Sequence, residues 1–135
     1  MFALIKASTA VTTVVANRIY LARMTENAPY PAIVLEMVSG NFVTPINAQA
    51  GMQLLQSRIQ VTALSKTAIE AKQILDFVRI ACEFKSGLIA CTIGGVAYNV
   101  QVQSVLRDSI GPDIKNDDLT VCLQSHDYMV SHFET

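Results

Sequence analysis

The stretch "RIQVTALSKTAIEAKQILDFVRIAC", residues 58–82, changes its hydrophobic period half-way along. In its first part apolar and polar residues alternate, with Ile59, Val61 and Ala63 on one side, which is typical of a half-buried strand. From Thr67 onward the apolar residues recur at intervals of three or four, which is typical of an amphipathic helix. These helical positions are Ala71, Ile74, Leu75, Val78 and Cys82. The sequence therefore predicts a strand that leads directly into a helix.

The start of this helix carries a capping signal. Glu70 follows Thr67 by three residues, so the hydroxyl can accept from an N–H of the first turn while the carboxylate reaches back toward the cap. We therefore predict a helix from Thr67 to about Phe84.

Composition limits the classes of protein to which the chain can belong. Its 135 residues suit one domain with one core, so we predict a single domain over residues 1–135. The formal net charge is −1 and neither half has a Lys/Arg cluster, so binding to nucleic acid or to an anionic membrane is not expected. Every apolar run is shorter than the ~20 residues that cross a bilayer, and Lys6 interrupts the first. We expect a soluble protein that is not secreted.

The chain has few charges for its apolar content. Charged residues make up 16% of it and apolar residues 51%, whereas ~25% charged is typical of a soluble domain. We infer that another subunit or a partner covers part of the surface.

The remaining patterns predict a small α+β fold. Apolar spacing indicates an N-terminal helix over residues 1–16, which ends at Asn17, a residue that tolerates the left-handed conformation. Strands are predicted at residues 17–23, 32–40 and 52–64, on both sides of the Gly94-Gly95 hairpin turn, and around residues 119–123. The continuous apolar character of residues 32–40 predicts a strand with at least one face fully covered, and residues 109–118 predict a turn-rich loop. The prediction is a mostly antiparallel sheet of about four to six strands, packed by two helices, the N-terminal one and one near residues 67–84.

The histidines do not have the spacing of a metal site. His126 and His132 lie six apart with Asp127 between them, without a helical i, i+4 pair or a third ligand. We favour the interpretation that both histidines are solvated or lie at the edge of the core. The alternative is a metal site or a His-Asp catalytic pair. We expect no metal and no cofactor.

The cysteines and carboxylates also lack a catalytic pattern. Cys82, Cys91 and Cys122 are odd in number and have no C-x-x-C spacing, so neither a disulfide framework nor a zinc site is indicated. Cys82 or Cys122 could pair with His126 as nucleophile and base, but both lie on predicted core faces, where thiols are usually inert. The carboxylates are isolated along the sequence, so no acid/base pair is predicted.

One long uncharged loop is predicted between two strands. "GNFVTPINAQAG", residues 40–51, carries Phe42, Val43 and Ile46. Loops of this length without their own structure are usually functional or disordered, and disordered segments are polar. We therefore predict an apolar arm that contacts another protein, the alternative being a loop folded over its own core.

The order of these elements resembles the tail-completion, or tail-terminator, proteins of long-tailed bacteriophages and prophages. The segments that carry the resemblance are "NRIY" (17–20), "PYPAIVLEMVSG" (29–40), "AGMQLLQSRIQVTAL" (50–64), "KTAIEAKQILDFVR" (66–79) and "LRDSIGPD" (106–113). Two features depart from the family pattern. Residues 40–51 lack the charges often found there, and residues 127–135 run past the usual final strand.

This resemblance implies a structural virion protein and no catalysis. It implies a ring of six copies at the head-proximal end of the tail, which caps the tail tube, terminates its growth and forms the joint with the head connector. The implied partners are further copies of the chain, the tail tube protein and the head connector or neck protein, with assembly in the host cytoplasm. A closed ring needs two different patches on each subunit, and we assign residues 42–46 and the loop of residues 107–118 to them. The interface residues predicted are Asn41, Phe42, Val43, Thr44, Pro45, Ile46, Arg107, Asp108 and Asp113.

Two other functions stay open at this point. A head-completion protein of the neck has a similar size and also works as a ring. A small α+β enzyme or ligand-binding domain would instead need a deep pocket, for which Tyr98, His126 and Asp127 are the candidate lining residues.

Overall fold

The computed structural model of the chain describes residues 1–22, 29–43, 53–93, 95–112, 114–116 and 121–133. Three helices and seven strands lie within these ranges. The helices are α1 (Phe2–Ala7), α2 (Thr9–Val15) and α3 (Ala68–Cys82). The strands are β1 (Ile19–Leu21), β2 (Ala32–Val43), β3 (Leu54–Ser65), β4 (Gly87–Ile93), β5 (Val96–Ile110), β6 (Ile114–Asn116) and β7 (Val121–Phe133).

The strands form one sheet in the order β1-β2-β3-β7-β5-β4, and β6 pairs with the start of β7. β1 runs parallel to β2, and the other pairs are antiparallel. The helices pack against one side of this sheet, which we call the helix face, and the opposite side is the open face. The predicted α+β class with a mostly antiparallel sheet is confirmed.

The predicted strand-to-helix junction is also confirmed. Val61 and Ala63 of β3 are fully buried on the helix face, and the five apolar positions predicted for α3 are all buried against the sheet. The helix begins as the capping signal indicates, because the Glu70 N–H donates to Thr67 Oγ1 at 3.3 Å. The Glu70 carboxylate, however, accepts from Ser65 Oγ at 2.7 Å, and Ser65 Oγ in turn accepts from the Thr67 N–H at 3.4 Å. The Glu70 carboxylate therefore does not bond directly to the Thr67 N–H, as in a simple capping box, but is linked to it through the Ser65 hydroxyl.

The N-terminal helix is two helices rather than the single one predicted. Ser8 has an extended backbone, ends α1 by donating its N–H to the Ile5 carbonyl at 3.1 Å, and caps α2 by accepting from the Val11 N–H at 3.4 Å. A serine side chain that bonds to nearby backbone competes with a continuous helix, which explains the break. The positive φ at the end of α2 falls on Ala16 and not, as predicted, on Asn17.

The C-terminal segment forms a central strand of the sheet. β7 lies between β3 and β5, with its register to β3 running without interruption from the Leu54–Phe133 pair to the Ser65–Cys122 pair. The prediction that residues 127–135 extend beyond the final strand was therefore wrong over residues 127–133. Polar residues on its open side and a buried histidine hide the strand pattern in the sequence.

Two predicted loops are partly strand. β2 continues to Val43, so residues 40–43 belong to the sheet and residues 44–51 of the predicted arm lie outside the described part of the chain. β5 continues to Ile110 and β6 occupies residues 114–116, both within the loop predicted over residues 109–118. At the predicted hairpin turn Gly95 has a φ of +80°, the conformation that only glycine adopts readily.

β2 is less covered than its apolar sequence predicts. Ile33 and Leu35 are buried, but Met37 and Val38 are 66% and 55% exposed, near an irregularity in the pairing between Met37 and Ser39. The helices cover the strand only over its first residues, so the prediction of a fully covered face was wrong beyond Leu35.

Candidate assembly surfaces

The apolar helix face extends past the helices that cover it. Met37 and Phe42 on β2 are 66% and 57% exposed, and Val96 and Tyr98 on β5 are 53% and 50% exposed. Their pairing partners place them on the helix face, since Met37 lies opposite Ile59 and the β5 residues alternate in step with buried Val102. We call these four residues the uncovered apolar surface, which consists of two separate areas, one on β2 and one on β5, because β3 and β7 lie between them. Pairs of large apolar residues left exposed in this way mark contact surfaces.

An open apolar cavity of about 240 Å³ lies beside this surface, under α1. Its walls are Met1, Phe2, Ala3, Ile59, Ile89, Val100, Val102, Val130 and His132. The Nε2 of His132 is 3.1 Å from Ser57 Oγ, so the one polar side chain of the wall already has a partner. The cavity continues the apolar helix face and does not have the converging polar groups of a catalytic pocket.

The centre of the open face is polar and is organised by Arg58 on β3. Its Nη2 lies 2.6 Å from Asp108 Oδ2 on β5, and its Nε donates to Asp127 Oδ2 on β7 at 3.1 Å. A longer bond of 3.4 Å runs from Nη2 to Ser109 Oγ. One guanidinium thus connects three neighbouring strands, a role that depends on strand register and is not visible in the sequence.

The predicted interface residues do not lie on one surface. Arg107 lies opposite Tyr128, and Asp108 lies at a pairing irregularity between Arg107 and Ser109 and reaches Arg58 on the open face. Asn41, Phe42 and Val43 are exposed at the end of β2, on a different part of the sheet. Thr44, Pro45, Ile46 and Asp113 lie outside the described residues.

The residues suggested for an enzyme pocket are also separated. His126 is buried on the helix face, whereas Asp127, the next residue of β7, bonds to Arg58 on the open face. Tyr98 is half exposed near the start of β5, whereas His126 pairs with Ile110 at the end of that strand. These three side chains therefore cannot line one pocket.

The buried ionisable groups are held neutral. Burial first, and then the charge of Arg107, lower the pKa of His126, and burial raises the pKa of Tyr128. Burial also raises the pKa of the Cys82 thiol to about 11, so it stays protonated and unreactive at neutral pH. Within the described ranges no group of three or more His, Cys, Asp and Glu side chains could hold a metal ion.

Comparison with known families identifies the chain. A family model described as "Tail completion protein gp17" matches residues 1–109. The chain belongs to this family. Membership makes it a structural protein of the phage tail. A search of curated proteins gave no match.

The fold of this tail completion protein is shared with a virion component. A chain of the structure described as "Virion of native gene transfer agent (GTA) particle" superposes with a TM-score of 0.71 at 8% sequence identity. The match covers 98% of this chain and 91% of that chain. At this identity the likeness concerns the fold alone.

None of the helices in the described part of the tail completion protein is both long and apolar enough to cross a membrane.

The outer side of α3 gives this tail completion protein a further apolar surface. Ile69 and Ile80, eleven residues apart, lie on the same side of the helix and are 73% and 67% exposed. Phe84, just after the helix, is 75% exposed and has a φ of +63°. The sequence prediction did not include this surface, although a helical projection of residues 68–82 brings the two isoleucines together.

Proposed function

We propose that this tail completion protein forms a ring of six copies on the head-proximal end of the phage tail tube. There it terminates growth of the tube and forms the joint with the head connector. The number of copies and the position follow from the family resemblance described above. The partners are further copies of the chain, the tail tube protein and the connector protein, and the ring assembles in the host cytoplasm before it becomes part of the virion.

The uncovered apolar surface is the observation that carries the proposal. Met37 and Phe42 lie on β2 and Val96 and Tyr98 on β5, with β3 and β7 between them. Two separate apolar areas on one subunit are what a head-to-tail contact requires, because each copy must present two different patches to its neighbours. Of the interface residues predicted from the sequence, Asn41, Phe42 and Val43 lie beside the first area, and they remain part of the proposed contact.

Mass action determines when the ring forms. Contacts that each bury less than ~1,000 Å² give a weak free ring, whereas the tube end presents binding sites for all copies at once. We expect monomers at low concentration and rings on tail tubes. Sedimentation of the purified protein with and without purified tail tubes tests this expectation. A protein that stays monomeric or dimeric and ignores tubes at high concentration would contradict the proposal.

Electron micrographs of particles that lack the protein separate the tail-terminating role from that of a head-completion protein. Tails of uncontrolled length beside intact, filled heads support termination at the tube end. Heads that leak DNA, together with tails of normal length, would instead place the protein in the neck and overturn the proposal.

A further inference from the structure

The sheet has two open edges, one at each end of the strand order. On one side β1 pairs with residues 33–35 of β2 and then ends, so that among the described residues nothing pairs with the outer edge of residues 36–43. On the other side β4 (Gly87–Ile93) pairs with β5 through one edge, and its second edge has no partner strand in the described part of the chain. The free lengths are similar, eight and seven residues respectively.

Both edges lack most of the features that usually keep a monomer from pairing with other chains. Edge strands are commonly protected by charged residues, proline, short length, a bulge, or a helix or loop that covers the edge. β4 has the sequence "GLIACTI" and residues 37–43 have the sequence "MVSGNFV", both without charge or proline. Three protective features remain: the irregularity between Met37 and Ser39, the charge of Glu36 at the beginning of the free segment, and α1, which packs against β4. Two long edges of this composition are typical of strands that pair with another chain.

The main-chain groups of β2 point toward the open edge at defined positions. The Ile33 N–H donates to the Arg18 carbonyl at 2.9 Å, and the Leu35 carbonyl accepts from the Ala22 N–H at 2.8 Å. These groups therefore face the β1 side. Main-chain groups point to alternate sides along a strand, so the N–H and carbonyl of Met37 also face the open edge. The irregularity between Met37 and Ser39 shifts this alternation by one residue, and beyond it the N–H and carbonyl groups of Gly40 and Phe42 face the open edge.

The strand directions favour pairing between unlike edges of two copies. Successive antiparallel pairs make β2, β7 and β4 run the same way. When a neighbour repeats this orientation around a ring, its β4 meets β2 in parallel, the direction in which β1 already pairs with the same edge. A two-fold dimer would instead pair two β2 edges or two β4 edges in antiparallel fashion.

We propose that residues 36–43 of β2 in one copy pair with β4 of the next, so that the sheet continues from subunit to subunit around the ring. The occupant of each edge is therefore a second copy of this chain. This inference rests on the proposed ring and names the contact that closes it. Main-chain hydrogen bonds supply the contact. The exposed side chains of Met37 and Phe42 add buried area on the helix face, and Leu88, which lies opposite Gln101, adds it on the open face.

Hydrogen exchange on the wild-type protein tests the contact directly. The outward amides of Met37, Gly40 and Phe42 exchange freely in the monomer and at least about tenfold more slowly in the assembled form on tail tubes. Assembly without this protection would overturn the edge contact and leave the proposed ring standing. Absence of assembly on tubes would overturn both, and sedimentation detects that outcome before exchange is measured.

Edge-blocking variants supply a second test. Phe42→Pro removes an outward N–H, which an edge strand tolerates, and Leu88→Lys puts a charge beside the β4 edge at a side chain that is 67% exposed. We expect each to raise the concentration needed for assembly by about tenfold or more. The controls are Phe42→Val, which keeps the N–H with a side chain close in size to proline and should raise this concentration less than Phe42→Pro, and Ala10→Lys, which adds the same charge at an exposed position of α2 and should assemble like the wild type.

A mixture of the two blocked variants distinguishes unlike from like edges. Each variant retains one intact edge, so an equimolar mixture should stop at complexes of two copies while each variant alone stays monomeric. Native mass measurement counts the copies. Dimers of Leu88→Lys alone would show pairing between like edges and overturn the inference, as would full assembly of both variants. Circular dichroism confirms that the variants are folded, and the exchange test on the wild type does not depend on them.

Discussion

Arg58 on β3 and Asp108 on β5 form an ion pair across the open face of the sheet, with Nη2 and Oδ2 2.6 Å apart. β7 runs between these strands and contributes Asp127, whose Oδ2 accepts from Arg58 Nε at 3.1 Å. The guanidinium therefore pairs with two carboxylates that face it from neighbouring strands. The Arg58 and Asp108 side chains are about two-fifths exposed or less, so solvent screens the pair in part.

Arg58→Gln should lower the free energy of unfolding by roughly 1–2 kcal/mol. The substitution leaves the Asp108 and Asp127 carboxylates without the cation that they share. Arg79→Gln is the matched control, because Arg79 makes longer ion pairs on α3, at 3.9 Å to Asp76 and 3.7 Å to Glu83. It should cost less than about 0.5 kcal/mol. Urea denaturation of both variants measures the difference, and equal losses would mean that the open-face cluster contributes no more than a surface pair.

Ser65→Ala should destabilise the protein more than Thr67→Ala. Ser65 is buried and its hydroxyl donates to the Glu70 carboxylate at 2.7 Å, whereas the cap bond from the Glu70 N–H to Thr67 is exposed and 3.3 Å long. We expect a loss of roughly 1.5–2 kcal/mol for Ser65→Ala and about 0.5–1 kcal/mol for Thr67→Ala. Chemical denaturation gives both values. The reverse order would show that α3 begins at a simple cap and does not depend on the Ser65 link.

The parts of the fold that were predicted from the sequence are those with a local signal. β3 and α3 follow from the change of hydrophobic period, and every apolar position named for α3 is buried. The central place of β7 could not be predicted, because its partner Leu54–Ser65 lies about seventy residues earlier and the strand carries His126 on its buried side. Pairing over that distance depends on the whole sheet and not on the local pattern.

The sequence predicted a candidate surface only where the local composition, a run of uncharged and apolar residues, indicated one. The uncharged run at Phe42 and Val43 indicated an exposed apolar segment, and both residues are exposed. The Arg58 cluster depends on three strands meeting in one register, and Asp108 reaches it at a bulge. Neither the register nor the bulge has a signature in a single sequence. The free edge of β4 likewise becomes visible only when the strand order is known.

His126 should make the protein less stable as the pH falls below about 6.5. Burial, and after it the charge of Arg107, lower the pKa of His126 from its usual 6.5, and Asp76 and Arg79 on α3 and Glu83 just after this helix also face it. Above pH 6.5 both states are neutral at this residue. Below that value the unfolded chain takes up the proton first, so stability falls, by at most about 1.4 kcal/mol per pH unit, until the pH reaches the folded pKa.

The variant His126→Leu checks this pH dependence. The Nδ1 of His126 has no hydrogen-bond partner among the described residues, so the apolar replacement removes a buried polar atom as well as the proton site. Urea denaturation between pH 7.5 and 5 should give a flatter profile for His126→Leu than for the wild type. A slope that persists in His126→Leu would assign the acid sensitivity to other groups.

Phe84→Gly should stabilise the subunit relative to Phe84→Ala by about 1 kcal/mol. The backbone of Phe84 has a φ of +63°, held by donation of its N–H to the Val105 carbonyl at 2.8 Å, and alanine at this position keeps the strain that glycine relieves. The exposed ring contributes little to folding, so Phe84→Ala should stay within about 0.5 kcal/mol of the wild type. Thermal unfolding of the dilute, monomeric variants measures both, and equal stability of the two would remove the strain argument. A bulky ring kept in solvent on an unfavourable backbone implies a use outside the subunit, so both variants should bind tail tubes less well than the wild type.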